Sequence, residues 1–281
     1  MFKRISKSWQ LVKASAAVLK ADRELIVFPI ISLICVFIVT ATFAIPTFLT
    51  GIVDNIGVDQ QIPILGYVFG FSFYLTLNFV IFFFNSALVG AAMIRLRGGD
   101  PTVRDGFLIA TRHIDTIFGY ALISATVGIV LRGLSERAGF LGQIVISMIG
   151  LVWSLATYLV VPVLVIEGVG PVQGVKRSAQ LLKETWGEQI VGNFGIGVIF
   201  GLLTFGVILL SVPIIMAVIS TGSQALIILT VLLLILTVAT IGVLSTALSG
   251  IYAAAVYRYA VEGETGGFFS QELVQNAFRP K

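Results

Sequence analysis

The sequence predicts an all-α protein, a polytopic bundle of six transmembrane helices with amphipathic helices on its cytoplasmic side. Of its 281 residues, 57% are hydrophobic and only 11% are charged, whereas about 25% of the residues of an ordinary soluble domain are charged. The apolar residues also form long unbroken runs, and about 20 such residues carry a helix across the hydrocarbon core of a bilayer. A soluble protein of this composition would expose apolar patches and aggregate, so that class is excluded.

Six runs are long enough to span the membrane. They cover residues 26–50, 64–94, 114–131, 140–166, 190–219 and 225–257, and none has a Lys or Arg in its interior. The second run has 31 residues and would be about 46 Å long as a helix. A core of about 30 Å is shorter, so we expect this helix to tilt, kink or project into the headgroups. Barrel strands are short and alternate apolar with polar residues, which excludes a β-barrel.

The basic residues predict the orientation. All but two of the 18 Lys and Arg residues lie in the N-terminal segment, in the loops after spans two and four, or in the C-terminal tail. The exceptions are Arg132 and Arg137. The positive-inside rule then places both termini in the cytoplasm, and the even number of spans agrees. We expect a multi-pass protein of the plasma (inner) membrane.

The cytoplasmic segments 2–23 and 171–187 carry apolar side chains at helical spacing, opposite Lys and Arg. The two stripes contain Phe2, Ile5, Trp9, Val12, Ala16 and Leu19, and then Val172, Val175, Ala179, Leu182 and Trp186. One interpretation, which we favour, places these helices in the headgroup layer, with Trp9, Lys13, Arg177 and Trp186 on anionic inner-leaflet lipid. The alternative is that the stripes pack against one another beneath the bundle.

Glycine followed by proline precedes two of the cytoplasmic helices, at 98–101 and 168–171. Proline is favoured at the first position of a helix, and Asp or Gly suits the cap before it. The single membrane domain, 1–281, is therefore interpreted as three parallel repeats of one cytoplasmic helix and one hairpin. The repeats are 2–97, 101–167 and 171–262. The alternative is that glycine followed by proline is simply common in loops and does not mark a repeat.

Amides are the polar side chains that stand out within the spans. Asn78 and Asn85 are seven residues apart in span two and share one face, and Asn193 is near the start of span five. They make interhelical hydrogen bonds, each contributing about 0.6 to 2 kcal/mol, or they line a polar cavity. Charged residues stay at the span ends. Glu167, which ends span four, is placed to pair with a cytoplasmic Arg.

No catalytic, cofactor or metal site is predicted. His113 is the only His and Cys35 the only Cys, and they lie in different regions, whereas a metal site needs several such ligands. No Walker sequence, nucleophile elbow or zinc-protease helix occurs. Topology accounts for the basic charge, so nucleic acid is excluded as a partner.

Two segments carry a family resemblance. One is the N-terminal run, Trp9-x-Leu11-x-Lys13 followed by Asp22-Arg23-Glu24-Leu25-x-x-Phe28-Pro29, and the other is the loop Gly99-Asp100-Pro101-Thr102-Val103-Arg104-Asp105-Gly106. Together they resemble an uncharacterised family of prokaryotic six-span membrane proteins. The resemblance covers nearly the whole chain and implies the fold and a plasma-membrane location, with no substrate. Residues 163–186 are also loosely similar to the membrane domain attached to some glycerophosphodiester phosphodiesterases. The catalytic barrel of those enzymes has no counterpart in the sequence, so their activity is not carried over.

Three classes of function follow. The first is a non-catalytic membrane scaffold or accessory component, which the scarcity of intramembrane charge favours. The second is a transporter or channel for a lipid, a weakly polar solute or an ion, with Asn78 and Asn85 lining its route. The third and least favoured is a membrane enzyme. Membrane lipids are the expected partners, and a protein partner or a homo-oligomer is left open.

Overall fold

The computed structural model describes residues 2–49, 64–186, 195–270 and 274, and within these ranges it contains helices and no strand. The helices are α1 (Phe2–Ala21), α2 (Val27–Leu49), α3 (Ile64–Leu96), α4 (Val103–Arg112), α5 (Ile114–Arg137), α6 (Phe140–Ala156), α7 (Val160–Glu167), α8 (Pro171–Trp186), α9 (Gly195–Ser220) and α10 (Gln224–Glu262). A 3-10 turn, Arg23–Ile26, joins α1 to α2. The all-α prediction is confirmed.

Six helical segments among the described residues are long and apolar enough to cross a membrane. They are Arg23–Thr47, Gly66–Leu96, Ile114–Arg137, Phe140–Glu167, Ile199–Ser220 and Gln224–Glu262. Each overlaps one of the six predicted runs. The last continues five residues beyond the predicted end at 257 and ends where Gly263 caps the helix in a left-handed conformation (φ 71°).

The fourth span is interrupted, which the sequence did not predict. Helix α6 ends at Ala156 and α7 begins at Val160. Pro162 has no amide hydrogen and so cannot continue the hydrogen-bond ladder across this point. The Leu159 amide instead donates to the hydroxyl of Ser178 on α8 (3.0 Å). A side chain from helix α8 thus satisfies the backbone at the break.

Helix α3 lies at the centre and contacts α2, α4, α5, α7 and α10. Its last two turns are tightly buried, and Leu88, Val89 and Ala92 have no exposed surface. Its first turns are open, with Tyr67 64% exposed. We call the buried end of the bundle the basic end; it carries Arg23, Arg95, Arg177 and Arg258.

Glycines show the same difference between the two ends. A Cβ atom on Gly90 would lie 2.8 Å from the Ile109 side chain, and one on Gly250 would lie 2.5 Å from that of Leu88. Gly70, near the open end of α3, has no neighbour within 4 Å of such an atom. Helix α3 is therefore approached closely by α4 and α10 near the basic end.

The two segments that carry the family resemblance meet in space. The amide of Val103, at the start of α4, donates to the Glu24 carboxylate (2.7 Å), although the two residues are 79 positions apart. Thr102 and Asp105 complete a capping box at the same helix start. Hydrogen bonds from Thr102 hold the pKa of the Asp105 carboxyl below its usual value. These contacts fix α4 to the turn before α2.

Helix α4 packs on α3, α8 packs on α7, and α1 packs on both α9 and α10. The buried face of α1 contains Leu11, Val12, Ser15 and Val18, while Trp9 is 51% exposed. This face is rotated from the predicted stripe and lies against the spanning helices α9 and α10. It therefore differs from the second interpretation, in which the amphipathic stripes pack against one another.

Helix α8 differs from its predicted stripe in the same way. Ser178, Leu181 and Leu182 are buried, whereas Val172 is 56% exposed. A Cβ atom on Gly174 would approach the Leu164 side chain to 2.7 Å. Helix α8 therefore lies against α7 along its glycine and serine face.

Candidate functional site

A cavity of about 680 Å³ lies between α2, α3, α9 and α10. This volume is within the range of about 300–1,000 Å³ that is usual for small-molecule pockets. The lining is largely apolar, and it consists of Pro29, Ser32, Leu33, Val36, Phe37, Ile81, Phe84, Asn85, Leu88, Ile208, Leu234, Ile235, Val238, Ala239, Gly242, Val243 and Thr246. No ionisable side chain is among these residues.

The cavity opens sideways. Several of its lining side chains are also part of the outer apolar surface, including Phe37 at 57% exposed, Ile81 at 46% and Ile235 at 55%. All three belong to helices that are apolar enough to cross a membrane. The opening therefore lies on the outer apolar surface of the bundle, among helices that are long and apolar enough to cross a membrane.

Three polar side chains line the cavity, one from each of three helices: Ser32 on α2, Asn85 on α3 and Thr246 on α10. Among the described residues, none of the three has a hydrogen-bond partner. Elsewhere in the spans the threonine hydroxyls donate to carbonyls of their own helix, as Thr240 does to Leu236 (2.8 Å). Thr246 is the exception among the described spans.

The two asparagines predicted to act as a pair lie in different surroundings in the structure. Asn85 lines the cavity, and its Oδ1 lies beside Gly250, where α3 and α10 cross closely. Asn78 does not line the cavity, and its Nδ2 donates to the Tyr74 carbonyl one turn earlier (2.8 Å). Asn193 lies outside the described residues.

An ionic cluster at the basic end joins three helices. Arg177 of α8 lies 3.3 Å from the Glu167 carboxylate at the end of α7. The hydroxyl of Tyr257 on α10 donates to the same carboxylate (3.1 Å). The predicted pairing of Glu167 with an Arg is confirmed by the contact with Arg177, so Arg177 is engaged by protein in addition to any lipid.

A second cluster surrounds Arg258, which is 7% exposed. Its guanidinium donates to the Leu96 carbonyl and to the carboxylates of Glu262 and Glu264. Sequence reasoning missed this buried cation, because a basic residue at a span end is most simply read as a topology signal. The acidic residues four and six positions later were the available indication.

Two of the other predicted lipid-contact residues, Trp9 and Lys13, lie on the surface of α1. The Lys13 ammonium is 6.0 Å from the centre of the Trp9 ring, so the two form one exposed cationic and aromatic patch on α1. Helix α8 ends at Trp186, whose side chain is outside what the structure describes. Within the described part of the chain, no three His, Cys, Asp or Glu side chains come together as a metal site.

Comparison with known proteins gives one match. Residues 64–268 match the model of a family described as "Family of unknown function (DUF6159)". No curated protein and no solved structure matches the chain. The matched range contains α3 through α10 and therefore most of the cavity lining.

Proposed function

Since the chain belongs to a family of unknown function (DUF6159), we propose its role from the geometry: a non-catalytic membrane scaffold or accessory component that holds a membrane lipid. The observation that carries this proposal is the cavity, which opens into the hydrocarbon between α2, α3 and α10. A molecule that enters from that side comes from the bilayer itself. The lining, apolar and free of ionisable groups, suits a lipid.

The rest of the bundle supports a holding role. The buried residues at the basic end come from α1, α3, α7, α8 and α10, which fixes these helices to one another. The cavity lies next to this rigid part, where α3 and α10 cross at Gly250.

The location and orientation form part of the proposal. We place the protein in the plasma (inner) membrane with the basic end and both termini on the cytoplasmic side, because that end carries nearly all of the Lys and Arg. There the exposed patch of Trp9 and Lys13 contacts anionic lipid of the inner leaflet.

Transport of a lipid is the second candidate, and the presence of Asn85 in the cavity favours it. Transport requires that the occupant leave on the other side of the membrane. Transfer of a fluorescent lipid between the leaflets of reconstituted vesicles measures this directly. If the lipid moves between the leaflets no faster than in protein-free vesicles, transport is excluded and the holding role is the function that remains.

Filling the cavity tests the proposal. Gly242 lines the cavity, and a Cβ atom there meets nothing within 4 Å, so Gly242→Phe places a ring in the space without displacing backbone. We expect purified Gly242→Phe protein to lose the lipid that native mass spectrometry detects on the unaltered protein. Gly206→Phe on α9 is the matched control, since Gly206 is equally unobstructed and does not line the cavity. Equal lipid retention by both variants would refute the proposal.

A further inference from the structure

We infer that the cavity binds a neutral lipid whose carbonyl or hydroxyl group lies deep in the hydrocarbon layer, and not a phospholipid. This inference rests on the proposed function and names the chemical class of the occupant. Its basis is the placement of Ser32, Asn85 and Thr246, which come from three different helices and line the same space without a partner.

The depth of these polar groups argues against a phospholipid. Each side chain is compared with the arginine at the basic end of its own segment. Ser32 lies nine residues from Arg23, and Asn85 lies ten residues from Arg95. Thr246 lies twelve residues from Arg258. These distances correspond to about 13, 15 and 18 Å along a helix, and half of a hydrocarbon core is about 15 Å. A phospholipid has only acyl chain at this depth, because its esters and its headgroup lie at the interface.

The cost of leaving amides and hydroxyls unpaired argues that the occupant bonds to them. A polar group without a partner is unfavourable in an apolar environment. The other threonines in the described spans avoid this by donating to their own helix, as Thr240 does, whereas the buried hydroxyl of Ser86 also has no partner. Asn85, Ser32 and Thr246 all offer donors, which suit an oxygen acceptor on the ligand.

The charge of the occupant follows from the lining. The cavity has no ionisable side chain, and an ionised group in an apolar site without a counter-ion is strongly disfavoured. The ligand is therefore neutral. A ring carbonyl or an alcohol on a long apolar chain meets all of these conditions, and an isoprenoid quinone and a polyprenol are the corresponding probes.

Binding to the purified full-length protein in detergent tests the inference. The probes are a long-chain isoprenoid quinone, a polyprenol of similar length, and phosphatidylglycerol, with dissociation constants from titrations followed by native mass spectrometry. We expect the quinone or the polyprenol to bind, and phosphatidylglycerol at the same concentration not to displace it. Whichever of the two binds more tightly identifies the polar group as carbonyl or hydroxyl.

Variants locate the contact. The double variant Asn85→Leu with Thr246→Val removes two hydrogen-bonding groups at nearly constant volume, and we expect its dissociation constant to rise about thirtyfold, as for the loss of two hydrogen bonds. The matched control is Asn78→Leu with Thr240→Val, because both of those side chains bond to their own helix. We expect the control to bind like the unaltered protein. If the double variant fails to fold, Thr246→Val alone is the test, with a rise of about fivefold.

Two results would overturn the inference while leaving the proposed function intact. One is equal affinity of the Asn85 and Thr246 variants and the unaltered protein for the neutral probes. The other is displacement of those probes by phosphatidylglycerol at equal concentration. By contrast, unchanged binding of every probe to Gly242→Phe would show that the cavity is not the site, and the proposed function would fail with the inference.

Discussion

Two asparagines seven residues apart on α3 have different surroundings, because a neighbouring helix crosses α3 at one of them and not at the other. Asn85 stands where α10 passes at Gly250, beside the cavity, whereas Asn78 bonds to its own helix at Tyr74. The sequence places both on one helical face. It does not specify where the neighbouring helix crosses, so it cannot distinguish the two residues.

Gly106 on α4 is the residue whose replacement we expect to disturb the fold most sharply. A Cβ atom there would lie 2.3 Å from Cζ of Phe28 and 2.8 Å from the carbonyl oxygen of Ala87. The side chain can move but the carbonyl cannot, so Gly106→Ala overpacks the contact and costs about 1–3 kcal/mol. This loss exceeds the gain of up to about 1 kcal/mol in helix propensity.

The thermal unfolding midpoint in detergent measures the effect, and it should fall for Gly106→Ala. Gly206→Ala is the control, since a Cβ atom there has no neighbour within 4 Å, and its midpoint should stay level or rise slightly. If the unfolding midpoint of Gly106→Ala equals that of Gly206→Ala, the neighbours of Gly106 can accommodate a methyl group without loss of stability.

Among the helices, α8 has a role that its amphipathic pattern does not indicate. Its Ser178 hydroxyl accepts the hydrogen bond of the Leu159 amide where the fourth span is interrupted. From sequence, the run 140–166 is expected to form one span, and Ser178 lies off the apolar stripe predicted for α8. Both expectations depend on the position of a second helix, which local pattern does not contain.

Replacement of Ser178 tests this role. Ser178→Ala leaves the buried Leu159 amide without an acceptor, which costs about 1–3 kcal/mol, and Ser178→Thr keeps the oxygen. We expect the alanine variant to exchange the Leu159 amide hydrogen faster in hydrogen–deuterium exchange, and the threonine variant to restore part of the protection. Ser154→Ala is the control, because that hydroxyl donates to Gly150 on an exposed face. Equal exchange in Ser178→Ala and Ser154→Ala would contradict the role.

At the scale of the molecule, the six spans followed from composition and run length, and the repeat remains a proposal. We propose that the units 2–97, 101–167 and 171–262 are arranged around a pseudo-threefold axis. The contacts support this, since α4 packs on the hairpin of the first unit, α8 on that of the second, and α1 on that of the third. Superposition of the three hairpins in an experimental structure would decide it.

The proposed orientation gives a labelling prediction for the whole molecule. In a background where Cys35 is replaced by Ala, Asp100→Cys and Thr221→Cys place one thiol at the basic end and one at the turn between α9 and α10. We expect a membrane-impermeant maleimide to label Thr221→Cys in intact cells and Asp100→Cys only after permeabilisation. The reverse labelling pattern would show that the protein has the opposite orientation. Labelling of both cysteines in intact cells would contradict an odd number of membrane crossings between positions 100 and 221.

The packing of α1 on α9 and α10 also has a consequence for synthesis. The start of α9 lies 174 residues after the end of α1, and ribosomes add about 5–20 residues per second, so about 9–35 s pass before the first helix has its binding surface. During this interval the face of α1 that contains Leu11, Val12 and Val18 lacks its contacts with α9 and α10, and the membrane surface is the apolar environment open to it. Helix α1 is thus synthesised well before the two helices that hold it in its final position.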